Sequence, residues 1–177
     1  MAGRRRLPAG VGIMSEAEEA PTRVNRVLLC VLDDTEELDV ALDYAAMRSR
    51  RTGARVGLLY VMDQPDDFQH WAAVGDLMRE EARVEAERRL QDAAAKVKRM
   101  SGLSPIFYLR EGDRAQETIE QIQEDQDIAF LILAANVGSQ GPGPLISQIT
   151  GKAIGSLHIP VVVVPGNMSE DEIKSFA

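Results

Sequence analysis

The sequence predicts an α/β fold of three layers, in which helices cover both faces of a doubly wound, five-stranded parallel sheet. Short apolar runs alternate along the chain with longer stretches that carry apolar residues at helical spacing. This alternation is typical of βαβ units, whose right-handed crossovers place helices on both faces of a sheet. The run Ile128 to Ala135 also contains no charged residue, as expected for a strand that is buried on both faces.

Length, charge and cysteine content narrow the class of protein. The chain has 177 residues, which suits one domain with a proper core. It carries 28 acidic and 20 basic side chains, and the net charge of −8 disfavours nonspecific binding to nucleic acid or to an anionic membrane. The single cysteine, Cys30, excludes a disulfide within the chain and suits a reducing compartment. Its position in the middle of the first predicted strand predicts that it is buried in the core. No apolar run reaches the roughly 18 residues of a membrane-spanning helix. We therefore expect a cytoplasmic protein that binds neither nucleic acid nor membrane.

Composition divides the chain into three parts. Residues 1–23 mix Gly, Pro, Arg and Glu without periodicity and are predicted to form a disordered N-terminal extension, in which Met14 is an alternative translation start. Residues 24–166 form the predicted domain. Residues 167–177 are an acidic C-terminal tail that is compatible with a helical turn.

The first strand and helix follow from the residues after the extension. Arg26 to Leu32 is predicted as a strand, and Asp34 with Glu37 resembles the capping box of a helix. The helix then carries a core-facing apolar stripe at helical spacing, formed by Leu38, Ala41, Leu42 and Ala45. Val56 to Met62 is the second predicted buried strand.

The segment Asp63 to Gly75 interrupts the alternation and is predicted as a loop. Phe68 and Trp71 have two interpretations, either an apolar patch that holds the loop against the domain or a lid over a neighbouring pocket. His70 has no cysteine or carboxylate at metal-ligand spacing, so we interpret it as a surface histidine.

The second half of the chain continues the pattern. Asp76 to Met100 is predicted as a long charged helix with a solvated face, and Pro105 to Leu109 as the third strand. Asp113 is three residues before Gln116 and is predicted to cap the third helix. Ile159 to Val164 is the closing strand, and its apolar character at a sheet edge favours pairing with another chain.

A glycine-rich loop, Asn136 to Gly151, follows the fourth strand. It contains Gly138, Gly141, Gly143 and Gly151, with Pro142 and Pro144 between them. Glycines let backbone N–H groups turn towards an anion, and we expect a helix that begins near Gly151 to add its own free N–H groups. The loop therefore predicts a phosphate site, although a flexible surface loop would have a similar composition.

The spacing Gly138-x2-Gly141-x9-Gly151 resembles the nucleotide-binding pattern of the universal stress protein (UspA) family. The segments Val27–Asp33, Leu58–Asp63, Glu111–Asp113 and Ile159–Val164 also resemble its strands and turns. The resemblance extends from about Asn25 to Gly166. It implies an adenine nucleotide alpha hydrolase-like fold with strand order 3-2-1-4-5, a homodimer that pairs through Val161 to Val164, and higher oligomers as an open option. In such a sheet the ligand lies beyond the carboxyl ends of the first and fourth strands, where the strand order reverses.

The resemblance also implies ATP as the ligand, with Mg²⁺ or Mn²⁺ as an option, and assigns roles to particular residues. Asp33 would contact the adenosine and the backbone of Val61 the adenine. Val137 and Gly138 match the start of the family's glycine loop. The phosphates would contact Gly141 and Gly151, together with Lys152 and Ala153 at the start of the following helix.

Lys152 departs from the family pattern, which has Ser or Thr at this position. Three interpretations remain open: it binds phosphate, it is solvated, or it fills the phosphate position itself and leaves the protein without a nucleotide. The family's usual glycine at the end of strand four is also replaced, by Ala135, and Gln140 stands where the loop commonly has a basic residue.

Enzyme motifs are not evident in the sequence. Ile146 to Ala153 lacks the first Gly and the final Ser or Thr of a Walker loop, and there is no G-x-S-x-G motif. Our leading hypothesis is a regulatory nucleotide-binding protein of stress responses that acts by binding rather than turnover. The alternatives are a dimeric interaction module that binds no nucleotide, and a slow ATPase.

Overall fold

The computed structural model describes residues 26–63 and 72–177, with side chains in the second range described from residue 77 onwards. The strands are β1 (Val27–Leu32), β2 (Arg55–Met62), β3 (Ile106–Glu111), β4 (Ile128–Ala135) and β5 (Val161–Pro165). The helices are α1 (Leu38–Thr52), α2 (Ala72–Ser101), α3 (Arg114–Glu124), α4 (Pro144–Gln148) and α5 (Glu170–Phe176). All strand pairs are parallel, in the order β3-β2-β1-β4-β5. The predicted fold class and strand order are confirmed.

The central strand β1 is buried along its whole length because helices cover both faces of the sheet. Its side chains alternate between two cores, as strand geometry requires. Leu28, Cys30 and Leu32 pack in a core with α1 and α2. Val27 and Leu29 pack on the opposite face with residues of α3 and α4. This confirms the predicted burial of Cys30, which is 0% exposed.

The start of α1 differs from the prediction. The N-cap residue is Glu37, whose side chain makes no capping hydrogen bond, and the helix begins at Leu38. Asp34 instead forms an ion pair with Arg89 of α2. A partner from a distant part of the chain has therefore replaced the local cap. At α3 the local signal prevails, because the Gln116 backbone N–H donates to the Asp113 carboxylate at 2.9 Å, as predicted.

The connection between β2 and β3 contains a helix longer than expected, since α2 begins at Ala72 rather than Asp76. Apolar residues along one face of α2 are buried in the core, at Ala86, Leu90, Ala93 and Val97, and Met100 is partly buried against them. Phe68, His70 and Trp71 lie outside the described residues, and so does the predicted extension of residues 1–23.

The C-terminal tail forms a helix that docks on the domain. Ser169 and Glu172 make a reciprocal capping box at the start of α5. Ile173 and Ala177 are buried. Arg51 of α1 donates hydrogen bonds to main-chain oxygens of Lys174 and Ala177. The tail thus completes one face of the domain, which the sequence did not indicate. Among the described residues, no helix is long and apolar enough to cross a membrane.

Candidate functional site

A cavity of about 250 Å³ opens beyond the carboxyl ends of β1 and β4. This is the point where the strand order reverses, since β2 lies on one side of β1 and β4 on the other. Polar lining residues come from the β1–α1 connection, the loop after β4 and the start of α3: they are Asp33, Thr35, Glu37, Arg114, Asn136 and Gln140. The floor is apolar and includes Val31, Leu133 and Leu145. An apolar floor with a few convergent polar groups is the usual form of a small-molecule site.

Asp33 is the first polar residue after β1, and its half-buried side chain lines this cavity. The Thr35 hydroxyl donates to Asp33 Oδ1 at 2.7 Å, and the Thr35 backbone N–H donates to the same oxygen at 3.3 Å. This local turn orients the carboxylate. Within the described residues Oδ2 accepts no hydrogen bond, so it is available to a ligand hydroxyl or amine.

Two glycines shape the loop that forms the opposite wall. Gly141 has φ +86° and Gly143 has φ +103°, which side chains other than glycine rarely adopt. The Asn136 side chain accepts a hydrogen bond from the Gly138 backbone N–H at 2.5 Å, and the Asn136 backbone N–H donates to the Pro142 carbonyl at 3.4 Å. The loop therefore folds back on itself beside the end of β4.

The helix after this loop begins at Pro144, not near Gly151 as predicted from the sequence. Proline suits the first position of a helix because its missing N–H needs no partner there. Leu145 and Ile146 are buried in the core and anchor the first turn. The helical path continues as a π turn over Ile149–Ala153 and a 3-10 turn over Ile154–Ser156. Gly151 thus lies inside the helical segment.

The predicted site residues separate into two groups. Asp33 and Gly141 line the cavity. Val61 is buried in the core of β2 at 2% exposure, and Val137 is exposed at 56%. The remaining four, Gly138, Gly151, Lys152 and Ala153, also lie outside the cavity wall. Because the helix starts earlier than expected, Lys152 and Ala153 are not at its N-terminus, and their roles in phosphate binding stay predictions.

Neither the lysine nor the prolines block the cavity. Lys152 is exposed and does not line it. Pro142 and Pro144 form part of its wall, beside the open volume. The site therefore has room for a ligand in the described structure.

Arg114 is a cavity residue that the sequence interpretation missed. It is the first residue of α3, directly after the Asp113 cap, and its Nε atom is buried without a hydrogen-bond partner in the part of the chain that is described. A signal was present in the sequence: a cation at the first position of a helix opposes the helix dipole and needs an explanation.

The described side chains were compared with two further kinds of site, a cluster of metal ligands and a reactive thiol. They contain no group of three or more His, Cys, Asp or Glu residues arranged to hold a metal ion. Burial, and to a smaller extent the charge of Asp33, raises the pKa of the Cys30 thiol to about 12. The thiol is therefore protonated at neutral pH and is a poor nucleophile.

Comparisons with known proteins agree with this architecture. The structure is similar to the universal stress protein UspA from Lactobacillus plantarum, with a TM-score of 0.66 and 15% sequence identity over 79% of this chain and 97% of that chain. It is also similar to the universal stress protein from Archaeoglobus fulgidus in complex with dAMP, with a TM-score of 0.54 and 15% identity over 81% of this chain and 99% of that chain. A universal stress protein in complex with cAMP gives a TM-score of 0.55 and 16% identity, over 78% of this chain and 96% of that chain. At these identities the likeness establishes the fold, which is the adenine nucleotide alpha hydrolase-like fold.

The sequence comparisons supply the family. No curated protein sequence matches the chain. A model of the universal stress protein family matches residues 25–165, which is most of the chain and includes every strand of the sheet. The chain belongs to the universal stress protein family.

Proposed function

We propose that this protein binds an adenine nucleotide in the cavity beyond β1 and β4 and acts through binding rather than turnover. The observation that carries the proposal is that Asp33 and Gly141, which are distant in sequence, line the same cavity. Similar structures in complex with cAMP and dAMP support an adenine nucleotide as the ligand class.

The chemistry of the walls suits the parts of such a ligand. The free oxygen of Asp33 would accept hydrogen bonds from ribose hydroxyls. The loop around Gly141 would turn backbone N–H groups towards phosphate. The cavity, at about 250 Å³, lies just below the range of roughly 300–1,000 Å³ for small-molecule sites. The cavity would therefore enclose a nucleoside and one phosphate, and the outer phosphates of ATP, with Mg²⁺ or Mn²⁺, would lie towards the exposed side of the loop.

The absence of turnover is part of the proposal. Hydrolysis needs a group that positions water near the terminal phosphate. The Ser147 hydroxyl, one of the polar groups near the loop, already donates to the Gly143 carbonyl at 2.8 Å. Phosphate release at background rate with ATP and either Mg²⁺ or Mn²⁺ is the expected result. Release above background that disappears in Gly141→Val would favour the slow ATPase.

Titration with ATP, ADP and AMP tests the binding proposal directly. We expect binding to the wild type and its loss in Gly141→Val, because Val cannot adopt φ +86° without strain and the loop must change. Gly155→Val is the matched control, since Gly155 is exposed and has open space around an added Cβ. Flat titrations of the wild type, together with no bound nucleotide in mass spectrometry of the purified protein, would contradict the proposal.

A dimeric interaction module without nucleotide is the second candidate. It is favoured by the position of Gly151, Lys152 and Ala153 away from the cavity wall. Flat nucleotide titrations of a protein that light scattering shows to be a dimer would favour this candidate.

We also propose a homodimer, with a higher oligomer as an open option, in which Val161 to Val164 pairs with the same strand of a second chain. In the described structure β5 is an edge strand that pairs with β4 alone, and Val163 is exposed at 39%. Exposed apolar edges of this kind favour strand pairing. A monomer in light scattering at working concentration would refute this proposal. We also propose a role in cytoplasmic stress responses. This role is inferred from membership of the universal stress protein family.

A further inference from the structure

We propose that Arg114 binds the phosphate of the ligand in this cavity, so that the site prefers a nucleoside phosphate to the nucleoside. The inference rests on the proposed function for the identity of the nucleoside, but its anion-binding part stands on the geometry of Arg114 alone.

Arg114 differs from three described arginines that are each held by several carboxylates. Arg110, Arg88 and Arg89 each hold at least two carboxylates: Glu117, Glu120 and Glu124 at Arg110; Glu85 and Asp92 at Arg88; Glu85 and Asp34 at Arg89. Arg114 makes no ion pair with any described residue, and its Nε is buried without a partner. A buried donor without a partner is unfavourable unless a ligand or water supplies the acceptor.

The charges around the cavity leave Arg114 available to an anion. Asp33 and Glu37 line the same cavity, yet among the described side chains neither forms an ion pair with Arg114, whose Nε has no hydrogen-bond partner. The position at the start of α3 also places a positive side chain next to the positive end of the helix dipole. A bound phosphate would compensate both positive charges, and the planar guanidinium matches phosphate oxygens with two parallel hydrogen bonds.

A second cavity is the natural competitor and is less suitable for an anion. It has a volume of about 280 Å³ and lies between α1 and α2, beside the other face of the sheet. Its cations, Arg88, Arg89 and Lys96, are all paired with carboxylates; the partners of Lys96 are Asp39 and Asp43. An anion there would have to displace existing ion pairs, whereas the anion at Arg114 would not.

The preference for a nucleoside phosphate over the nucleoside follows from the position proposed for the phosphate, beside Arg114. Adenosine and AMP share the nucleoside, so Asp33 would contact both ligands equally. Only AMP presents the group that Arg114 would bind. The effect of removing the guanidinium should therefore appear in the affinity for AMP and not in that for adenosine.

The test compares Arg114→Gln with Arg83→Gln by calorimetric titration of AMP and adenosine at low salt. Arg83 is the control because it lies on the exposed side of α2, with its side chain 62% exposed and paired to Glu87. We expect Arg114→Gln to weaken AMP binding by about tenfold to a hundredfold, as is typical for the loss of a hydrogen bond to a charged group. Adenosine binding and the thermal midpoint should stay as in the control. Equal AMP affinity in Arg114→Gln and wild type would overturn the inference while the proposed function stands.

A second measurement separates the anion site from the nucleotide proposal. Inorganic phosphate is titrated into the ¹⁵N-labelled protein, and the Nε–H resonance of Arg114, assigned by its loss in Arg114→Gln, is followed by NMR. If no nucleotide binds but phosphate shifts this resonance, the proposed function fails and the anion site stands. If the resonance moves with neither AMP nor phosphate, the assignment of Arg114 is wrong.

Discussion

The two glycines at positions 141 and 155 should respond to alanine with opposite signs. Gly141 is held at φ +86°, with no atom within 4 Å of an added Cβ, so the cost of Gly141→Ala comes from the backbone alone. A residue with a Cβ in this left-handed region is less stable by about 1–2 kcal/mol. Alanine also lowers the conformational entropy of the unfolded chain, which stabilises the folded state by about 0.4–1 kcal/mol. The midpoints of these two ranges differ by about 0.8 kcal/mol, and we expect the free energy of unfolding to fall by about that amount.

Gly155 lacks the positive φ and also has no atom within 4 Å of an added Cβ. Gly155→Ala should therefore keep the entropic gain without the strain and raise the free energy of unfolding by about 0.4–1 kcal/mol. For a chain of this size, 1 kcal/mol corresponds to about 2–4 °C in Tm. Differential scanning calorimetry of both variants and the wild type should place the wild-type Tm between the two. If Gly141→Ala is at least as stable as Gly155→Ala, the loop does not hold Gly141 at a positive φ.

Three further predictions follow from single side chains. Asp33→Asn should weaken adenosine binding about tenfold to a hundredfold, because a charged acceptor is lost, whereas Glu36→Gln, at an exposed position of the same β1–α1 connection, should not. Equal adenosine affinities of Asp33→Asn and the wild type would remove Asp33 from the site. Arg51→Ala should lower the free energy of unfolding by about 1–2 kcal/mol and speed hydrogen exchange in α5, because two hydrogen bonds to main-chain oxygens are lost. Arg50→Ala, at a neighbouring exposed position, is the control, and unchanged exchange in Arg51→Ala would contradict the docking of α5. Burial raises the pKa of Cys30 from 9.0 to about 12, so the unfolded state loses this proton first and stability should fall as pH rises from about 9 to 12. Chemical denaturation across that range should show the decline in the wild type and a smaller one in Cys30→Ala; parallel curves would refute the burial argument.

Part of the candidate site could be found in the sequence because its signals are local. Asp33 ends an apolar strand, and the glycines around Gly141 stand out by spacing and by the φ angles that only glycine adopts readily. In parallel sheets the carboxyl ends of neighbouring strands lie at one edge, so two such motifs can be placed together before any coordinates are known. Arg114 was not found, since an arginine among acidic residues is ordinarily paired, and only the arrangement of distant carboxylates leaves it without a partner.

What the sequence determined by itself is the alternation of strands and helices, the burial of Cys30 and the Asp113 cap, since each depends on neighbours within a few residues. Tertiary structure decided where the helix after the glycine loop begins: the burial of Leu145 and Ile146 in the core selects Pro144 as the first residue and removes Gly151 and Lys152 from the helix start. It also decided that the tail docks as α5. The physical reason is the same in each case, because packing against residues distant in the chain outweighs the weak local preferences from which helix ends are predicted.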